Sequence, residues 1–360
     1  MPSTAHGYAA FSKDTALAPY TFERRDLREN DVKIDILYCG VCHSDLHTAR
    51  GDWDEIIYPQ GTIFPCVPGH EIIGRVAAVG PTATKYKVGD YVGVGCMVDS
   101  CQHCEACEDH LEQHCAHVPT WTYNSADRVT GENTLGGYSD SIVVREEFVL
   151  RVRHSEKDLA AAAPLLCAGI TMWSPLRHWK VGSGTKVGIV GIGGLGHMGI
   201  KLARALGAHV VAFTTSESKR IDALKLGAHE VVISRDPEQM AARAGTLDFI
   251  VNTLAVPHKL DDYTALLRRD GTMTLVGIPA DAHPSPSVAS LIGMRRQIGG
   301  SLIGGIAETQ EMLDFCAEHG IVSDIEEIDM KDIETAYARM LKSDVKYRFV
   351  VDMSTMDKAA

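Results

Sequence analysis

Lys186-Val187-Gly188-Ile189-Val190-Gly191-Ile192-Gly193-Gly194-Leu195-Gly196 reads as a short apolar strand running straight into a G-x-G-x-x-G turn. Beyond it Leu195, Met198, Leu202 and Leu206 recur at spacings of three and four, the period of a helix with one apolar face. Gly207 fits a helix stop, and His209-Val210-Val211-Ala212-Phe213 follows as a second strand, so the stretch is one βαβ unit. Because 33 glycines occur in the chain, the spacing alone says little; between a strand and a helix it predicts a dinucleotide site. Gly191 permits the tight turn, Gly193 lets the backbone approach a pyrophosphate, and Gly196 lets helix and strand pack closely. Ile192, Gly194 and Leu195 complete a loop at a helix N-terminus, where unpaired N–H groups and a partial positive charge favour phosphates.

Working outward, further strands are expected at Glu230-Val231-Val232-Ile233, Phe249-Ile250-Val251-Asn252, Thr272-Met273-Thr274-Leu275-Val276 and Ile298-Gly299-Gly300-Ser301-Leu302-Ile303. Helical intervals separate them, which predicts an α/β domain with a doubly wound parallel sheet. Upstream the rhythm differs. Val32-Lys33-Ile34-Asp35-Ile36-Leu37-Tyr38 nearly alternates apolar and polar residues, and glycine-punctuated β-branched runs at 67–80 and 88–95 suggest the tightly turned strands of a small barrel. Past Thr309 comes one more amphipathic helix and then Tyr347-Arg348-Phe349-Val350-Val351, a strand expected to return to the first domain. The expected division is 1–160 for a catalytic domain, 161–303 for the dinucleotide domain and 304–360 for the returning segment.

Cys101-Gln102-His103-Cys104-Glu105-Ala106-Cys107 and Cys115 place four thiols within one polar loop. Four thiolates so close converge readily on a tetrahedral zinc with bonds of about 2.3 Å and no open position, a structural site. The rival, a disulfide knot, needs an oxidising compartment. Cys39-Gly40-Val41-Cys42-His43-Ser44-Asp45-Leu46-His47 crowds thiol, imidazole, hydroxyl and carboxylate into the turn after a strand, where chemistry is often mounted. Cys39 and Cys42 also form a C-x-x-C pair, but no thioredoxin-like pattern surrounds them. Cys42 is read as a ligand and Cys39 as a small buried residue. His70, beside Glu71 in a Pro-Gly turn, stands between a structural histidine and a ligand.

With 360 residues, 45% of them hydrophobic, the chain suffices for two cores. Ten cysteines, four of them clustered, do not form a secreted framework, and no segment offers the apolar length of a membrane span, so a soluble cytoplasmic protein is expected. A net charge of −12 argues against nucleic acid, and Glu105, Glu108, Asp109 and Glu112 around the cysteines argue against a zinc finger.

The end of the second strand, where NAD-binding folds carry an acid for the ribose, reads Phe213-Thr214-Thr215-Ser216-Glu217-Ser218-Lys219-Arg220. Thr214, Thr215 and Lys219, with Arg220 beside them, suit a 2′-phosphate, so NADP is expected. Glu217 keeps NAD as the alternative, with these residues then capping the next helix.

Taken together, Cys42-His43-Ser44-Asp45-Leu46-His47, Gly69-His70-Glu71, the four-cysteine loop, Trp121-Thr122-Tyr123-Asn124, Leu166-Cys167-Ala168-Gly169-Ile170-Thr171 and the glycine turn resemble the zinc-dependent medium-chain alcohol dehydrogenases. Within them the chain is most similar to the cinnamyl alcohol dehydrogenase branch and its bacterial broad-specificity aldehyde reductases. The resemblance implies a GroES-like β-barrel catalytic domain beside a Rossmann domain, two zinc ions per chain and a homodimer joined at sheet edges near residues 290–304. It assigns the catalytic zinc to Cys42, His70 and Cys167, with the fourth position open to water, substrate or Glu71. It makes Ser44 the hydroxyl near the zinc and His47 the solvent-side relay base, a role suited to histidine's ordinary pKa of about 6.5. Asp45 is read as the acceptor that orients His70.

By the same resemblance Thr171, Ile278, Ser301 and Ile303 touch the cofactor, and Thr48, Trp53, Cys96, Trp121, Ile278 and Leu302 line the substrate pocket. The loop from Cys115 to Trp121 is one residue longer than in the plant lignin enzymes, and Leu302 stands where those often carry an aromatic residue. Both features favour aromatic and medium-chain aldehydes, reduced reversibly, over a strict phenylpropenyl preference. The alternatives are an NAD-dependent alcohol oxidiser and, outside enzymes, a zinc-containing structural protein.

Overall fold

The computed structural model describes residues 3–54 and 56–356. Met1, Pro2, Glu55 and the last four positions of the expected 304–360 segment lie outside the described residues. The chain divides into two compact units, one made of Met1–Cys167 with Gly304–Ala360, the other of Ala168–Ile303.

The first unit is built from short strands and long loops. Ser3–Ala9 (β1) pairs antiparallel with Ala18–Arg24 (β2). Asp31–Val41 (β3) is the long central strand, in which Val32, Ile34 and Ile36 are buried while Lys33 and Asp35 face outward. Register shifts at Lys33/Ile34 and Ile36/Tyr38 interrupt its pairing with Ile72–Val79 (β4), and such bulges bend a strand. Tyr91–Val94 (β5) follows; Met97–Asp99 (β6) and Thr120–Trp121 (β7) pair across the base of the four-cysteine loop. Ser141–Arg145 (β8) pairs with β3, and Leu150–Arg151 (β9) with β5.

The second unit is a parallel sheet of Lys186–Val190 (β10), His209–Thr214 (β11), Glu230–Ile233 (β12), Leu247–Asn252 (β13), Leu267–Leu275 (β14) and Gln297–Gly300 (β15). Their order, β12-β11-β10-β13-β14-β15, puts the switch point of a doubly wound sheet between β10 and β13, where such folds bind ligands. Val190, Phe213, Val232, Ile250, Tyr263 and Met273 are core residues of this sheet. The expected strand at 298–303 ends at Gly300, because β14 stops at Leu275 and leaves no ladder partner further on.

Ile325–Asp329 (β16) and Arg348–Asp352 (β17) complete the sheet of the first unit, with the order β16-β17-β3-β4-β5-β9. Strand β17 runs antiparallel to β3, pairing Phe349 with Val41. The expected boundary at 160/161 moves to 167/168. Ala162, Ala163, Leu165 and Leu166 are fully buried, the Ser323 N–H donates to Ala161 O at 3.0 Å, and a Cβ on Gly93 would lie 3.1 Å from Leu166, all inside the first unit. Among the described residues no single helix is long and apolar enough to cross a membrane.

Phe213→Ala opens a cavity in the second core and is expected to cost about 3–5 kcal/mol. Urea unfolding checks this as a lowered midpoint; a loss below about 1 kcal/mol would show that the ring is not held in that core.

Candidate active site

Strand β3 delivers Cys42 to the start of the helix His43–Ala49, with Cys42 as its N-cap. Asp45, in the first turn, is fully buried. Its Oδ2 accepts from Cys42 N at 2.9 Å and from the Tyr138 hydroxyl at 3.2 Å; Oδ1 accepts from Gly69 N at 3.0 Å and pairs with His70 Nδ1 at 2.8 Å. With Nδ1 committed to a carboxylate, His70 has Nε2 left as a ligand atom, the arrangement usual for metal-binding histidines. Burial pulls the His70 pKa down, but Asp45 holds it well above the ordinary value.

One ligand atom each from Cys42, His70, Glu71 and Cys167 lies within 4.8 Å of the others, and all four residues are buried. Cys42 Sγ and Cys167 Sγ are 3.9 Å apart. Tetrahedral zinc with bonds of about 2.3 Å sets sulfurs about 3.8 Å apart, so the pair fits the metal. Hydrogen bonding to Cys167 holds the Cys42 thiol well below its usual pKa, with help from the Arg348 guanidinium; the same contact pushes Cys167 up. Two thiolates and one neutral imidazole nearly cancel Zn²⁺ and leave one position free, the donor set of catalytic rather than structural sites.

Behind these ligands Glu71 and Arg348 form a buried ion pair between Oε1 and Nη2. Burial lifts the Glu71 carboxyl to about 7 against the opposing pull of Arg348. Its Oε2 is buried with no hydrogen-bond partner among the described residues, an acceptor that a metal ion would satisfy. Sequence reasoning missed Arg348, although a lone arginine inside the apolar run 347–351 is a signal, since a charge is rarely buried without a partner.

Ser44 Oγ sits 3.5 Å from Cys42 Sγ. One helical turn on, His47 Nδ1 pairs with Asp52 Oδ2 at 2.9 Å and its ring lies tilted by 30° to that of Trp53, centroids 5.3 Å apart. Asp52 was also missed, though it lies only five residues from His47. Of the residues expected in the substrate pocket, Cys96 Sγ donates to the Leu166 carbonyl at 3.9 Å, Trp121 is half-buried on β7, and Thr48 is fully buried with its carbonyl accepting from the Thr62 hydroxyl at 2.9 Å. Cys39 is buried, and its thiol is pushed well up by burial.

The four-cysteine set also converges. Cys101, Cys104, Cys107 and Cys115 bring their sulfurs within 4.8 Å of one another, with separations of 3.9 Å for Cys101–Cys107, 3.5 Å for Cys104–Cys107 and 4.0 Å for Cys104–Cys115. These bracket the same tetrahedral edge. An N–H···S bond from Ala116 pushes the Cys104 thiol down to about 6.

In the second unit Gly191 adopts φ +89°, and a Cβ on Gly196 would collide with the Gly191 carbonyl, so both places require glycine. A Cβ on Gly193 would meet no protein atom, which leaves its backbone open to a phosphate at the start of the helix Gly194–Ala205. Lys219 Nζ donates to Ile192 O at 3.1 Å, tying the turn after β11 to this loop. Thr214 is buried, Thr215 exposed, and Glu217 is engaged by both Nε and Nη2 of Arg220. Ile278 and Leu302 are exposed beyond the ends of β14 and β15, Ser301 and Ile303 are half-buried, and Thr171 is buried in the helix Ala168–His178.

A doubly wound dinucleotide fold in one chain with a two-thiolate, one-imidazole metal site defines a zinc-dependent dehydrogenase. Residues 28–154 match the alcohol dehydrogenase GroES-like domain and residues 194–318 the zinc-binding dehydrogenase family. Aldehyde reductase YahK of Escherichia coli (strain K12) is 63% identical over 96% of this chain and 97% of the relative. A cinnamyl alcohol dehydrogenase structure from Sorghum bicolor matches with a TM-score of 0.93 and 41% identity, covering 99% of this chain and 100% of the other. The structure of CAD from Helicobacter pylori complexed with NADP(H) matches with a TM-score of 0.90 and 44% identity over 98% and 99%. The chain therefore belongs to the zinc-binding alcohol dehydrogenases, in their cinnamyl alcohol dehydrogenase branch, and is an oxidoreductase of aldehydes and alcohols.

Arg348→Met strands the Glu71 carboxylate in the interior and is expected to destabilise the first unit by about 3–5 kcal/mol. Adding Glu71→Leu should recover much of that loss, a coupling that a double-mutant cycle in urea reads directly. Purely additive losses would show that the two charges do not depend on each other.

Proposed function

We propose that the protein is a zinc- and NADPH-dependent aldehyde reductase that converts aromatic and medium-chain aldehydes to primary alcohols, reversibly. The observation that carries this reading is the convergence of Cys42, His70 and Cys167, with the Glu71 carboxylate as the fourth donor beside them. Bound zinc supplies Lewis acidity toward a carbonyl oxygen, and bound NADPH supplies the hydride. The chain's own residues do the rest. Cys42 and Cys167 neutralise the cation, Asp45 fixes the His70 tautomer, and Glu71 stands ready as an exchangeable carboxylate. Cys101, Cys104, Cys107 and Cys115 hold a second, structural zinc.

Product formation requires a proton. Ser44 and His47 lie one turn apart on the same helix; in the relay that the family resemblance implies they are joined through the cofactor ribose, and Asp52 on Nδ1 leaves His47 Nε2 to exchange protons with solvent. Support for NADPH comes from Lys219, anchored at the phosphate loop, and from Thr214 and Thr215 at the end of β11. The one nearby acid, Glu217, is already paired with Arg220 and is a poor acceptor for a ribose hydroxyl. The complexed NADP(H) of the Helicobacter pylori structure agrees. Trp53, Cys96 and Trp121 offer apolar surface for an aldehyde's tail. A homodimer is supported by β15, an edge strand, beside the exposed Val288, Ile292 and Met294. Free thiolate ligands suit a reducing cytoplasm.

With benzaldehyde and hexanal as substrates, NADPH is expected to give the higher kcat/KM, and chelation of zinc to abolish turnover. Lys219→Ala should raise KM for NADPH about tenfold, about 1.4 kcal/mol, and leave KM for NADH nearly unchanged. Equal use of both cofactors would overturn the NADPH assignment in favour of an NAD-dependent alcohol oxidiser.

His47→Ala should flatten the pH–rate profile of aldehyde reduction while two zinc ions per chain are retained. An unchanged profile would remove His47 from the proton path.

A further inference from the structure

Beside the four-cysteine set lies a second donor cluster that shares Cys101 with it and adds two histidines that neither the sequence motifs nor the proposed reaction uses. One ligand atom each from Cys101, His103 and His117 falls within 4.8 Å of the others, and the two imidazole centroids are 5.7 Å apart. Both histidines are exposed, so a cation reaches them from solvent without displacing a packed group. Local backbone geometry sets them there. Gln102, between Cys101 and His103, takes φ +62°, and Val118, directly after His117, takes φ +58°, a value a β-branched residue rarely adopts. Arg128 donates to the His117 carbonyl at 3.0 Å and holds that segment in place.

His103 Nδ1 lies 2.6 Å from the Cys101 carbonyl oxygen. A backbone carbonyl on one ring nitrogen is what fixes the tautomer of metal-binding histidines, and here it leaves Nε2 as the ligand atom. The sulfurs are also unequal. Cys104 accepts from Ala116 N–H at 3.4 Å, Cys107 lies 3.3 Å from the Ser100 hydroxyl, and Cys115 lies 4.0 Å from Arg128 Nη2. Among the described residues Cys101 Sγ has only a neighbouring sulfur, so its lone pairs remain the most available toward the histidines. Four thiolates around one Zn²⁺ leave two negative charges, and exposed Glu105, Glu108 and Asp109 stand close by in sequence.

We infer that His103, His117 and the Cys101 thiolate, shared with the structural zinc, form a third and weaker site for a divalent cation of the zinc and copper class. Imidazole and thiolate are the donors such ions prefer, and the remaining positions face solvent. This inference rests on the reading of the four cysteines as a zinc site.

The test is a zinc titration of the whole protein carrying its two tight zinc ions, against a chromophoric chelator. A third equivalent is expected in the micromolar range. In the variant carrying His103→Gln and His117→Gln its affinity should fall at least about tenfold, while two tight equivalents and aldehyde reduction persist. Saturation at two equivalents, or a third that survives both substitutions, would overturn the third site. A tight count of one would overturn the four-cysteine reading itself and this site with it.

Discussion

The Asp45 carboxylate accepts from four buried donors at once: the Cys42 and Gly69 amides, the His70 ring and the Tyr138 hydroxyl. Those donors come from three segments, with Tyr138 lying 93 residues beyond Asp45. Each of them, if stranded without an acceptor, would cost about 1–3 kcal/mol. The helix that carries Ser44 and His47 is therefore registered to the histidine ligand through a single side chain. A shift of that helix would turn His70 as well, so the proposed proton path and the proposed metal ligand are set together.

The last strand contributes a charge as well as a ladder. Without β17, Arg348 would not face Glu71, and the charge that helps lower the Cys42 pKa would be missing. This explains in chemical terms why the chain, after completing the dinucleotide sheet, runs back to pair with β3. The second unit needs no such distant help. Its phosphate loop is determined by the steric limits at Gly191 and Gly196, both within one turn of chain, and by Lys219 reaching back to Ile192.

That contrast governs what the sequence made legible. The glycine turn and the four-cysteine loop could be read because their physics is local: a strand, a turn and a helix in succession, or thiols a few residues apart. The parallel strands were legible for the same reason, apart from the end of β15, which depends on where its neighbour stops. Cys42 was legible as a ligand from its chemistry-rich turn and His70 only as either a ligand or a structural histidine, while Cys167, whose sulfur meets Cys42 across 125 residues, entered through family resemblance alone. The Glu71–Arg348 pair spans 277 residues, and no periodicity encodes such a contact. Asp52 is a different kind of miss, since five residues separate it from His47 and only attention to what orients the ring would have found it.

The central claim is that three side chains far apart in sequence surround a zinc ion with room for one more oxygen ligand, while four neighbouring thiols close around another. A crystal structure of the zinc-loaded protein, with anomalous differences recorded across the zinc absorption edge, tests this most directly. Two peaks per chain are expected, one bounded by Cys42, His70 and Cys167 with its remaining position open to solvent or exchangeable with Glu71, the other by Cys101, Cys104, Cys107 and Cys115. A single peak, or a first site closed by a fourth permanent protein ligand, would contradict it.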